Sequence, residues 1–132
     1  MYDHNFTSLP DLHGVPVFYP HGTQLIWISQ NGEITRPNRE TLAAEFALGV
    51  VLLCHRHWSA ARAAIDIDHY LDVMELFAFV RPARFVLPTP SGLAQQLGLA
   101  RPQHGEDMAA LLPQIAFTLL DELAGAPDAA RI

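Results

Sequence analysis

The chain has 132 residues, half of them hydrophobic, a formal net charge of −6 and one cysteine, Cys54; this suits a single domain with one core, and excludes an internal disulfide or a zinc site of paired cysteines. All eight basic residues are arginine, which rules out a phosphate-loop or Schiff-base lysine, and the acidic balance opposes autonomous binding to a polyphosphate. The opening residues MYDHNFTSLPDLHG hold no basic stretch followed by an apolar one, and no apolar run is long enough to span a bilayer, so a cytoplasmic protein with no membrane partner is expected.

After this polar lead, Val15–Tyr19 and Gln24–Ser29 read as β-rich runs joined by a turn at Pro20–Thr23, a hairpin. Gln30–Glu33 contains Asn-Gly, a second turn, and Glu33–Thr35 offers a short third strand. Asn38 is placed to cap a helix over Arg39–Leu48, with Leu42 and Phe46 on one face and Gly49 as the stop. Val50–Cys54 is apolar without alternation, the pattern of a strand covered on both faces. The alanine-rich segment Ser59–Ala64 reads as helix; Asp72 caps a further helix, Val73–Val80, which Pro82 ends.

Thr89-Pro90 opens a helix that runs through Leu97 and closes at Gly98. The last element carries Met108, Leu111, Leu112, Ile115, Leu119, Leu120 and Leu123 as an apolar stripe, and Pro113 is expected to kink it or start a second piece. The reading is one domain over 1–124, with 125–132 a frayed tail or the start of a linker.

The order of three strands, helix, strand, helices and a long final helix resembles the ribonuclease-H-like α/β fold, a mixed sheet flanked by helices. A closer resemblance is carried by Asp72-Val-Met-Glu-Leu-Phe-Ala-Phe-Val-Arg-Pro, then Pro90-Ser-Gly-Leu-Ala-Gln-Gln-Leu-Gly-Leu99. These residues resemble the "DTLELAR…LP…SLSALAERLGI" segment of DnaQ-like proofreading exonucleases, in which a histidine, here His104, then opens the final helix. Val51-Leu-Leu-Cys-His55 likewise resembles the strand entering that family's "HNxxFD" motif. The likeness covers roughly 50–123. Within it, Asp72–Leu99 is more particularly similar to the N-terminal region of DinG-type ATP-dependent DNA helicases, some of which carry an exonuclease-like domain ahead of the motor. The closing GAPDAARI is similar to the place where that region runs on toward the motor, so the chain is expected to be a fragment.

The resemblance implies a two-cation centre held by four carboxylates, and the sequence departs from it. The first motif, Asp-x-Glu, belongs on the first strand, yet no Asp or Glu stands between Asp11 and Glu33. In the second motif His55 matches, Arg56 replaces the asparagine, and Ala60 stands where the aspartate belongs. The third aspartate would fall at Ala109, with Asp107 nearby. The implied reading is a degenerate, non-catalytic exonuclease-like domain, a pseudoenzyme, acting as an accessory to helicase motor domains in cis. Single-stranded DNA would be reached through them, and ATP and Mg would belong to the parent motor. Two alternatives stand beside it, a residual metal-dependent 3'-5' exonuclease-like hydrolase and a stand-alone protein-interaction module.

The residues themselves offer a few weak candidates. His55-x-His57 would place two imidazoles on one side of an extended segment, with Asp66, Asp68, His69 or Asp107 as further metal ligands; the ordinary alternative is histidines filling a strand end and loop. Cys54 and His55, as strand neighbours, point to opposite faces and do not form a nucleophile–base pair. Phe77, Phe79, Arg81, Arg84 and Phe85 interleave aromatics with arginines as single-stranded DNA platforms do, against the plainer reading of a helix core with two exposed arginines. Trp27 and Trp58 are read as packing residues, and Glu33, Glu40 and Glu45 as solvated charges.

Overall fold

A computed structural model describes residues 14–125, so the polar lead and most of the expected tail lie outside the described residues. The elements in order are β1 (Val17–His21), β2 (Gln24–Ile28), β3 (Ile34–Thr35), α1 (Arg39–Leu48), β4 (Val51–Leu53), α2 (Arg56–Ala63), β5 (Tyr70–Asp72), α3 (Val73–Val80), α4 (Pro90–Leu97) and α5 (Gly105–Ala124). They build an α/β domain on a five-stranded sheet of order β3-β2-β1-β4-β5. The first three strands form an antiparallel meander, and β4 and β5 add in parallel, Val17 facing Leu52 and Leu52 facing Leu71.

The hairpin is tighter than the sequence suggested. β1 runs on through Pro20 to His21, leaving Gly22 and Thr23 as a two-residue loop with Gly22 at φ 60°. Proline survives in this central strand because of its position. Even-numbered residues of β1 turn their amides toward β4, as the bond from Leu52 N–H to the Pro16 carbonyl shows, and the pairing with β4 has ended before Pro20. The missing N–H therefore deprives no strand partner.

Alternation along the strands sends side chains into two layers. Val17, Tyr19, Ile26, Leu52, Cys54 and Leu71 face α3, α4 and α5, and the α5 stripe from Ala109 to Leu123 is buried against them. Phe18, Trp27, Val51 and Leu53 face the other way, onto Leu42 and Phe46 of α1 and Ala63 of α2. β4 is thus covered on both faces, which explains why its sequence lacks alternation.

Local capping chemistry fixes the helix ends. Asn38 accepts from the Thr41 amide at 2.8 Å, and Thr89 accepts from Gly92 at 3.0 Å with Pro90 in the first turn. α2 ends differently: Ala64 closes it in the left-handed conformation, φ 58°, where glycine is the usual occupant. It also starts earlier than expected, at Arg56 rather than Ser59. α5 is a single helix through Pro113, not two pieces, although proline cannot donate to the Ala109 carbonyl. β5 is the one strand the sequence did not disclose; three residues are too few to display a period.

Candidate functional site

The C-terminal ends of β1 and β4, the first turns of α2 and α3 and the start of α5 supply the candidate site. At the crossing of β4, α2 and α3 stands Asp72, only 5% exposed. Its Oδ1 accepts from the amides of His55 at 2.8 Å and Met74 at 2.9 Å, and its Oδ2 from Arg56 at 2.9 Å. One carboxylate thereby satisfies amides at the beginnings of two helices, whose dipoles favour a negative charge there. Asp72 is a clamp, with its oxygens directed at backbone.

His55 follows β4 with φ 69°, an uncommon value for a side chain-bearing residue, and its Nδ1 accepts from the Trp58 amide at 3.2 Å. That nitrogen is the N-cap of α2. His57 is exposed in the first turn of α2. Beside them, burial and then the Asp72 charge push the Glu75 carboxyl up from its ordinary pKa, opposed by Arg56, a hydrogen bond with Tyr70 and His57. Arg56 lies over the Tyr70 ring, 5.1 Å from its centroid.

On the α5 side, Tyr19 and His21 project from one face of β1, their rings 6.2 Å apart and nearly parallel. Gly105 sits so close that a Cβ there would come within 2.9 Å of the His21 ring and 2.8 Å of Ile26. Absence of a side chain at this position lets α5 dock on the hairpin. An open hollow of about 480 Å³ is lined here by His21, Gln24, Arg36, Gln103, His104, Gly105, Glu106 and Asp107. Arg36 and Glu106 close one side as an ion pair at 2.7 Å. His104 and Asp107 also line a neighbouring hollow of about 470 Å³ with Arg101 and Gln114.

Tyr19 also meets Trp58 of α2, ring centres 6.0 Å apart, and Arg62 lies over the Trp58 ring at 5.6 Å. Burial, and next the neighbouring Cys54, raise the Tyr19 pKa while Arg62 lowers it. Cys54 itself is buried and its thiol is pushed far up, by burial first and then by Asp72. It is a poor nucleophile in this setting.

The sequence candidates separate in space. His55 and His57 belong to the α2 start, whereas Asp107 lies on α5 at the hollow; Asp66, Asp68 and His69 are exposed in the loop before β5. Among the described residues no group of three or more His, Cys, Asp or Glu is placed to hold a metal ion. Among the described residues the donors therefore do not fit the two-cation centre implied by the exonuclease resemblance: the β1 positions Tyr19 and His21 carry no carboxylate, and Asp72 is engaged by amides. Of the aromatic–arginine run, Phe77 is buried and Arg81 is fixed by Glu122 at 2.8 Å and by the Gln96 carbonyl at 3.0 Å, while Arg84 and Phe85 are exposed. Trp27 is buried, and Trp58, whose ring meets Tyr19, is 36% exposed.

Sequence reasoning did not single out Tyr19, His21 or the Trp58–Arg62 pair. The signals were the spacing i, i+2 on a strand and i, i+4 on a helix. Among the described residues no helix is long and apolar enough to cross a membrane. Comparison of the chain with family models, curated proteins and solved structures finds no match.

Proposed function

We propose that this chain is an exonuclease-like scaffold without a catalytic centre, serving as an accessory domain to an ATP-driven DNA helicase motor of the DinG type. The observation that carries the reading is that β1 holds no Asp or Glu, and that the resemblance's next aspartate falls at or near Ala60 on α2, on a sheet of order β3-β2-β1-β4-β5. That order, with one antiparallel meander and two parallel additions, supports a ribonuclease-H-like ancestry. The segment Asp72–Leu99, which supplies the link to helicases, forms α3, the following loop and α4. A scaffold that has lost its chemistry still offers its surface to a partner.

With no lysine in the sequence, no phosphate loop of the G-x-x-x-x-G-K-[ST] kind exists in these 132 residues, so ATP turnover and its magnesium belong to the motor. The test is the gene beyond the codon for Ile132. An open frame that reaches a lysine-bearing phosphate loop supports the reading. A stop codon at once, with no helicase gene beside it, refutes it in favour of a stand-alone interaction module.

A further inference from the structure

The line of rings on the α5 side of the sheet ends at the surface. His21 stacks on Tyr19 at 6.2 Å, Tyr19 meets Trp58 at 6.0 Å, and Arg62 covers Trp58 at 5.6 Å. Trp58 and Arg62 are one turn apart on α2, a helix with two arginines and no acidic residue in a chain of net charge −6. Among the described residues Arg62 makes no ion pair. A part-exposed indole in contact with Tyr19, with a guanidinium over its ring, brings a π surface and a cation to one point. Single-stranded nucleic acid is bound by that combination, through base stacking with arginine assisting, and the stacking tolerates any base.

We infer that Trp58 and Arg62 form a stacking subsite for an unpaired base of single-stranded DNA, the base inserting against the indole as the guanidinium swings to the adjoining phosphate. The acidic remainder of the chain keeps the contact local and weak, which suits a domain that guides a strand while a motor supplies the grip. The inference rests on the accessory-domain reading for its choice of DNA as ligand.

The experiment titrates the purified chain with a fluorescein-labelled 15-nucleotide oligo-dT at low salt, following label anisotropy and tryptophan emission. Trp27 is buried, so quenching reports Trp58. Saturable anisotropy with quenching is expected, weakened roughly tenfold by Trp58→Ala and at least several-fold by Arg62→Glu, with Leu48→Ala, an exposed position at the end of α1, unchanged. Arg62 is exposed, so its variant keeps the test valid if Trp58→Ala fails to fold. Wild-type chain that does not bind, or Arg62→Glu that binds as wild type, overturns the inference. Equal quenching by the mononucleotide dTMP at the same base concentration overturns the strand in favour of a free nucleotide. Failure here beside an intact motor-bearing reading frame removes the subsite and leaves the accessory role standing; a missing motor does the reverse.

Discussion

Removing the Asp72 carboxylate tests whether one buried acid holds the centre of this domain together. Asp72→Ala orphans the amides of His55, Arg56 and Met74, which the wild-type oxygens accept at 2.8, 2.9 and 2.9 Å. Each stranded donor costs about 1–3 kcal/mol, and hydrogen bonds to a charged acceptor lie toward the upper end. Water entering the vacated space recovers part of that, so the expected loss is about 3–5 kcal/mol. Since a domain of this kind is stable by about 5–15 kcal/mol, the variant stands near the limit of folding. Asp72→Asn keeps one accepting oxygen but turns an NH2 toward a third amide, and is expected to lose about 2 kcal/mol. Urea unfolding, followed by far-UV circular dichroism at fixed m-value, measures both. A loss below about 1 kcal/mol for Asp72→Ala, or equal losses for the two variants, would show that the three amides find other partners and would refute the clamp.

Other consequences follow from single residues. Ala64→Gly, at φ 58° after α2, is expected to raise stability by about 0.5–1 kcal/mol in the same urea assay, since only glycine adopts that conformation without strain. Arg81 hydrogen-bonds Glu122 and thereby lowers its pKa, so this pair's contribution is present above the ordinary glutamate range and is lost as pH falls through the lowered folded value. The pair is partly exposed, which limits the effect to about 0.5–1 kcal/mol, and Glu122→Gln should flatten that part of a stability-against-pH curve. Cys54, buried with a raised thiol pKa, should react with a disulfide reagent only at the rate of unfolding; rapid modification of the native chain would contradict its placement in the core.

Much of the fold was legible because local chemistry marked it. Asn38, Thr89-Pro90 and Gly98 announced helix ends, and the apolar run ending at Cys54 announced a doubly covered strand. What stayed hidden depended on tertiary pairing. β5 exists because Tyr70–Asp72 lies alongside β4, and its three residues carry no pattern of their own. Pro20 read as a turn because its tolerance depends on where β4 stops pairing, which no local window contains.

The site was less legible than the fold, for the same reason. The lack of Asp and Glu on the first strand was visible in the sequence, but the ring contact at its end was not, because Tyr19 and Trp58 are far apart in sequence. Arg81 resembled a free cation until Glu122, on another helix, was brought against it. Asp72 was legible as a helix cap, yet its second duty, toward the amides of His55 and Arg56, requires the parallel pairing of β4 with β5.

The central claim, a scaffold without nuclease chemistry, is tested most directly by incubating the purified chain with 5'-labelled single-stranded DNA and magnesium or manganese. The account predicts that the label stays at full length even at stoichiometric protein. Progressive 3' shortening that disappears in the Asp107→Asn variant would contradict it, showing that Asp107 and its neighbours at the α5 hollow still support metal-dependent hydrolysis.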